Sequence, residues 1–375
     1  MREKTDKLAY ILSDLRRVGP TQQALNIIRY AGLKKASQVL TLFPEGPDTM
    51  LDAYRAAGIP VACLGLSRRR FFAGGAGRLR EVLRSRGIAL AHSCGIIPDI
   101  LTYAACRGTD CRQVITLRNF PMEDAPTRMH PLLGKGAAAA HLYVLKRAPN
   151  LVACSRSIQI KMQARYGLPN MVSIPNGVDI SRFSAGGQDK ATLRRQYKLP
   201  EKALIFLSTG SFIPRKHIAD TLEAFVRAGR QDALFILLGE GGLYPFLREQ
   251  YGKIPAIHFF GKQADVVPFL RLSDLFLSAS ESEGLPNAVL EAMACGLPAF
   301  LSDIPQHREI LRQCPDGGLL FPLGDVAALA ERIRKVDDRA LTRMREGTRA
   351  IYASDFTMEK MAAGYYRYYM ERLGR

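Results

Sequence analysis

The stretch SESEGLPNAVLEAMACGLPAF, residues 280–300, is apolar enough for a domain core, yet it places Glu283 and Glu291 with seven residues between them. Pro286 suits a first helical turn, NAVLEAMA is a good helix former, Gly296 suits the position just past a helix end, and Pro298 forbids continuation. The pattern predicts a helix of about ten residues, entered by the loop SASESEGLPN from the carboxyl end of a strand LFLSAS. Backbone N–H groups of Gly284, Leu285 and Asn287 then lie at a helix N-terminus, where an anion or a sugar oxygen can bind. Glu283 falls in the loop and Glu291 two turns along the axis, so both can reach one elongated ligand. Solvated helix acids fit the stretch poorly, because LPNAVLEAMACGLP has almost no other polar side chain and an unpartnered buried carboxylate is costly.

Outward from this segment, short runs rich in Val, Ile, Leu and Phe alternate with segments of helical period, the pattern of βαβ units in a parallel sheet. Strands are expected near LAYILS, QVLTLF, PVACLG, ALAHS, QVITL, LVACS and MVSIP, then near ALIFLST, ALFILLG, IHFFG, LFLSAS and PAFLS. Between the two series, PNGVDISRFSAGGQDKATLRRQYKLP loses apolar periodicity and gathers Gly, Pro and charge, which marks a linker. The fold class is therefore α/β, with two doubly wound, Rossmann-like domains over residues 1–183 and 184–355. Ligands are expected at the carboxyl ends of the strands and in a cleft between the domains. The last segment, 356–375, reads as an amphipathic helix carrying Phe356, Met361, Tyr365, Tyr366, Tyr368 and Tyr369, which packs back on the first domain.

Composition narrows the partners. The chain has 375 residues, 47% of them apolar, and a net charge of +18. Residues 1–183 hold 27 Lys and Arg against 12 Asp and Glu, whereas residues 184–375 hold 26 against 23. The basic surplus thus belongs to the first half and implies an anionic partner there. No apolar run approaches the ~20 residues that span a bilayer, and MREKTDKLAY lacks a signal-peptide pattern, so a cytoplasmic location is expected. Seven cysteines without a CxxC pair read as reduced thiols, and six scattered histidines offer no zinc spacing, so no built-in metal is expected.

The run EGLPNAVLEAMACGLP resembles the Glu-x7-Glu signature of retaining GT-B glycosyltransferases of family 4, often called group 1. Further segments similar to that family follow in its order: SIPNGVDISRF (173–183), STGSFIPRKHIADTLEAF (208–225), LLGEGG (237–242) and HFFGKQADVVPFLRLSDLFLSAS (258–280). The resemblance is strong over residues 150–326 and weaker before them. It implies the GT-B fold, with a first domain that binds a variable acceptor and a second that binds a nucleotide sugar.

By the same resemblance, Glu283 contacts donor-sugar hydroxyls, Glu291 binds the ribose, and Gly284, Leu285, Pro286 and Asn287 face sugar and phosphate. Arg215 and Lys216 meet the diphosphate, whose charge grows as it leaves. The chain has Gly210-Ser211-Phe212 where the family more often has Gly-Arg-Leu, so Arg215 is expected to replace the missing arginine. Gly210, Ser211, Gly239, Phe260 and Lys262 complete the donor side. In the first domain, LRRVGPTQQAL (15–25) corresponds to a glycine loop, with Gly19 near the phosphates and Thr21 starting the next helix. Where the family often has Thr-Leu-His near donor sugar and acceptor, this chain has Thr116-Leu117-Arg118-Asn119, so Arg118 or Asn119 takes a polar, catalytic role, or the acceptor differs. The segment MEDAPTRMHPLLGKG after it forms an expected acceptor loop, with Glu123 and Asp124 binding hydroxyls.

Residues 66–87, LSRRRFFAGGAGRLREVLRSRG, hold seven arginines against one glutamate, with Phe71, Phe72, Leu79, Val82 and Leu83 interleaved. Basic residues beside aromatics suit an acidic lipid surface, and no RNA-binding signature accompanies them. The sequence thus points to a glycosyltransferase that moves a sugar from a nucleotide donor, UDP by base rate, to a glycan or lipid-linked acceptor. Bacterial cell-surface polysaccharide assembly (capsule, exopolysaccharide or lipopolysaccharide), at the inner face of the cytoplasmic membrane, is the expected setting. A nucleotide-sugar epimerase or hydrolase of the same fold, and a non-catalytic sugar- or nucleic-acid-binding protein, are the alternatives.

Overall fold

A computed structural model of the chain describes residues 7–128, 130–184 and 188–375. It divides into two units: Met1–Gly177 with Met358–Arg375, and Val178–Thr357. The crossing falls at Gly177 because Val178 already donates its N–H to Phe356 O at 2.8 Å and Phe183 is buried within the second unit. Residues 178–183, placed in the first domain by the sequence, therefore lie in the second. Residues 185–187 of the expected linker lie outside the described residues. Its later part is not a loose connection: Arg194 is buried and pairs with Asp274 at 2.6 Å.

The first unit has strands β1 (Lys7–Leu12), β2 (Ser37–Thr41), β3 (Val61–Cys63), β4 (Ile88–Ser93), β5 (Arg112–Leu117), β6 (Leu151–Ala153) and β7 (Met171–Ser173). They form one parallel sheet in the order β3-β2-β1-β4-β5-β6-β7. The second unit has β8 (Leu204–Thr209), β9 (Ala233–Leu238), β10 (Ile257–Gly261), β11 (Leu275–Ser278), β12 (Ala299–Ser302) and β13 (Gly318–Phe321). Their order is β10-β9-β8-β11-β12-β13, again parallel. Near-continuous burial along β1, β5, β8 and β9 explains why these strands are apolar runs rather than alternating ones. The edge strand β13 has no counterpart in the sequence reading, because GLLF is short, sits between glycine and proline, and leaves Leu319 exposed.

In each sheet the strand order reverses once, between β1 and β4 and between β8 and β11. The carboxyl ends on either side of such a reversal splay apart and leave a crevice that a ligand can enter.

The C-terminal helix runs Met358–Leu373 and shares a buried cluster with β1 and the helix Gly19–Tyr30. Tyr365, Tyr368 and Tyr369 are buried and Tyr366 is exposed. Tyr369 Oη lies 3.0 Å from Tyr10 Oη and 2.6 Å from His92 Nδ1, and Thr116 Oγ1 lies 2.7 Å from His92 Nε2 and 3.0 Å from Tyr365 Oη. These bonds satisfy polar groups that burial would otherwise penalise. Among the described residues no helix is long and apolar enough to cross a membrane, no acid, His and Cys cluster could hold a metal, and none of the seven cysteines is in a disulfide.

Candidate active site

In the second unit, β8 ends at Thr209 and the chain turns through Gly210, Ser211 and Phe212 into a short 3-10 turn, Pro214–Lys216. Phe212 is an anchor: it is buried with its ring 5.1 Å from Tyr244 and 6.2 Å from Phe259. Beyond it, Arg215 and Lys216 meet the loop that leaves β11. Arg215 O accepts from Glu281 N at 3.0 Å, and its guanidinium donates to Ser282 O and lies 3.4 Å from Glu283 Oε2. Lys216 Nζ donates to Glu283 Oε1. The next residue, His217, takes a left-handed φ of 48°, an uncommon state for a non-glycine, and is held between Glu281 and Asp220.

Glu283 is 6% exposed. Burial disfavours its charged form, but the charges of Lys216 and Arg215 and hydrogen bonds from Lys216 and Ser280 outweigh it and hold the pKa at about 2. The carboxylate is ionised, and the trio with its two cations carries a net positive charge beside the β8/β11 reversal. Sequence reasoning missed the support beneath it. Ser302 Oγ donates to Ser280 O at 2.6 Å, and buried His307 donates from Nδ1 to Ser302 O at 2.7 Å. No motif or spacing links those residues to Glu283; only the adjacency of β11 and β12 does.

The helix expected after this loop is Asn287–Ala294, eight residues long, with Pro286 as its N-cap. Glu291 is its fifth residue and sits about one turn in, not two, because residues 284–286 remain loop and Pro286 is extended at ψ 97°. Gly284, Leu285 and Pro286 are buried and Asn287 is half-buried. The Glu291 carboxyl is half-buried and has no hydrogen-bond partner among the described residues. Burial raises its pKa to about 7, partly opposed by Arg182.

Gly210 and Gly239 interlock at the carboxyl ends of β8 and β9. Gly210 N bonds Leu238 O at 3.0 Å, Gly239 N bonds Gly261 O at 2.8 Å, and a Cβ on Gly239 would fall 1.8 Å from Gly210 O. At φ 131° no other residue fits there. Ser211 is exposed beside this junction, Lys262 pairs with Glu240 at 3.5 Å, and the Phe260 ring packs 5.0 Å from Phe269.

The remaining candidates lie in the first unit. Gly19 opens the helix Gly19–Tyr30, whose N-cap Val18 supplies no side-chain bond. Thr21 is thus inside the first turn rather than at its start, buried with its carbonyl accepting from Tyr54 Oη at 2.7 Å. Arg118 follows β5 and donates from Nη1 to Asn176 Oδ1 at 2.7 Å. Asn119 is half-buried and its side chain bonds no described residue. Glu123 is taken up by Lys161 at 2.5 Å and, with Asp124, lies in the first turn of the helix Pro121–Arg128. The expected acceptor loop is thus largely helical, since Pro131–Leu145 follows as a second helix; residue 129 lies outside the described residues.

A buried carboxylate held ionised by two cations, a second carboxyl without internal partners, and a parallel-strand crevice can together accept hydroxyl hydrogen bonds and neutralise a diphosphate. The family described as "Glycosyl transferases group 1" matches residues 189–350, and "Glycosyltransferase Family 4" matches residues 31–182. The N-acetyl-alpha-D-glucosaminyl L-malate synthase of Bacillus anthracis is 30% identical over 192 residues, half of this chain and half of that protein. The UDP-Gal:alpha-D-GlcNAc-diphosphoundecaprenol alpha-1,3-galactosyltransferase of Escherichia coli is 26% identical over 84% of each chain. The crystal structure of Anabaena HepE in complex with UDP and glucose superposes with a TM-score of 0.83 at 17% identity, over 98% of this chain and 99% of that one, a likeness of fold.

Proposed function

We propose, because the chain belongs to the group 1 glycosyltransferases of family 4 and has their GT-B fold, that it transfers a sugar from a UDP-sugar to a glycan or lipid-linked acceptor with retention of configuration. The observation that carries this reading is the Arg215–Glu283–Lys216 cluster at the β8/β11 reversal. Its surplus positive charge suits a diphosphate whose negative charge grows as the sugar leaves. Glu283, kept ionised, accepts hydrogen bonds from sugar hydroxyls, and Glu291 accepts them from the ribose. Backbone groups of Gly284, Leu285, Pro286 and Asn287, with Gly210, Ser211 and Gly239, line the sugar and phosphate positions.

In the reaction the bond from the anomeric carbon to the diphosphate oxygen breaks and a bond to the acceptor oxygen forms on the same face. The acceptor's proton passes to the departing diphosphate. Arg215 and Lys216 supply the countercharge, so no metal is needed.

Cell-surface polysaccharide assembly is the setting supported by the relative from Escherichia coli, whose name carries a lipid diphosphate acceptor. Attachment to the inner face of a membrane is supported by Phe72, 70% exposed next to the exposed Arg69 and Arg70. Of the seven arginines in that segment, Arg68 is tied to Asp14, Arg80 caps the carbonyls of Ala104 and Ala105, and Arg86 bonds Gln38, so the outward charge rests on the others.

The test is nucleoside diphosphate release from a panel of nucleotide sugars, with and without membrane extract. Release that depends on extract is expected. Turnover without any acceptor would favour an epimerase or hydrolase, and failure to bind any donor would exclude both enzymes.

A further inference from the structure

Arg118 is a cation without an anion. Its guanidinium donates to the Asn176 side-chain oxygen at 2.7 Å, its Nε is buried without a partner, and among the described residues no carboxylate lies within ion-pairing distance. The titratable groups that face it are the Cys94 and Cys154 thiols, His92, and the phenols of Tyr10, Tyr54, Tyr365 and Tyr369; burial raises the Cys94 thiol and the phenols and lowers His92, which keeps these groups neutral near pH 7. Asp99, a buried acid of the same unit, is held instead by His141 at 2.8 Å. Arg118 is half-buried, and a guanidinium kept for packing alone would be expected to bring a carboxylate with it, since an unpaired charge drawn partly out of water is costly.

Two features around it deepen the positive field. Cys94 stands just before Gly95, the N-cap of the helix Ile96–Cys106, and Cys154 just before Ser155, the N-cap of Arg156–Tyr166. Arg118 thus lies at the carboxyl end of β5 beside the starts of two eleven-residue helices, whose dipoles favour negative charge. The next helix in the sheet order, Gly19–Tyr30, has no acid in its first turn and no side-chain cap. Its Gln23 side chain donates to Gly177 O, adjacent to the Asn176 that holds Arg118.

We propose that Arg118 is the anchor of an oxyanion subsite in the first unit, and that it takes a carboxylate or phosphate group of the acceptor. The subsite deepens the transfer reading, on which it rests for the word acceptor. A planar guanidinium offers two parallel donors to either oxyanion, which a histidine at that position does not. The acceptor is then a hydroxyl compound bearing an acid group, and neutral sugars bind poorly.

Three compounds of one skeleton test it: glycerol 3-phosphate, glycerate and glycerol, titrated calorimetrically into the full chain. The two anions are expected to bind and glycerol not; which anion binds better separates a phosphate from a carboxylate acceptor. Arg118→Leu is expected to lose at least tenfold in anion affinity while its affinity for UDP moves less than twofold, and Arg118→Lys, which keeps the charge, is expected to retain part of it. Anions that bind no better than glycerol overturn the subsite, as does wild-type anion affinity in a folded Arg118→Leu protein. A loss of UDP affinity instead assigns Arg118 to the donor. Donor turnover with membrane extract is independent of these titrations, so failure there sinks the transfer reading alone.

Discussion

Lys216 donates a partly buried hydrogen bond to Glu283, with Arg215 at 3.4 Å from the opposite carboxylate oxygen. The two residues follow different strands, sixty-seven positions apart, and meet only because β8 and β11 are neighbours. Glu283→Ala takes the carboxylate away from both cations, at a cost of about 3 kcal/mol. Turnover is expected to fall by about a hundredfold or more while affinity for UDP changes little, because Glu283 is assigned to the sugar. Steady-state kinetics, UDP calorimetry and urea denaturation read the three effects separately.

Glu291 is expected to show the reverse split, weaker donor binding with less loss of turnover. Its pH behaviour is the sharper check. Its pKa in the folded chain is about 7, above the ordinary 4.5 of a glutamate, so its contribution to stability is complete below pH ~4.5 and is lost as pH rises through 7. Glu291→Gln should therefore be more stable than the parent above pH 7, by on the order of 2–3 kcal/mol after allowing for partial exposure, and the gap should close toward pH 4.5. Donor binding runs the other way, since ribose hydroxyls bond the carboxylate. UDP affinity is expected to rise by roughly tenfold from pH 6 to 8 in the parent and to stay flat in the variant.

Gly239→Ala places a methyl 1.8 Å from the Gly210 carbonyl oxygen at φ 131°. Neither backbone segment can move cheaply, so a loss of roughly 2 kcal/mol or more is expected, with weakened UDP binding. Gly77→Ala, on an exposed helical position where nothing lies within 4 Å of the new methyl, is the control and is expected to gain about 0.5–1 kcal/mol.

Tyr369→Phe removes the hydroxyl that joins Tyr10 to His92 and is expected to cost about 1–3 kcal/mol. Burial, reinforced by the Arg118 charge, lowers the His92 pKa to about 3, so the neutral ring contributes stability above pH 6.5 that is lost as pH falls toward 3. Denaturation midpoints from pH 7 down to pH 4 should fall accordingly.

Most strands, the two-unit organisation and the segments carrying Glu283, Glu291, Arg215 and Lys216 are legible in the sequence, because parallel strands are continuous apolar runs and Gly and Pro punctuate the loops. The edge strand β13 is not, since an edge needs only one buried face. Position within the helix of Glu291 is off by a turn because residues 284–286 between the two acids are loop rather than helix. The supports of the site, Ser280, Ser302 and His307, and the neutral surroundings of Arg118, depend on which strands lie side by side. Strand order leaves no local trace, and those residues could not be found without it.

The anomeric configuration of the product tests the central claim most directly. Proton NMR of the new glycosidic linkage, formed from an α-linked nucleotide sugar and membrane acceptor, is expected to show the α-anomer, and Glu283→Ala is expected to form it far more slowly. A β-linked product, or equal rates in the two proteins, would contradict the assignment of this site to a retaining transfer.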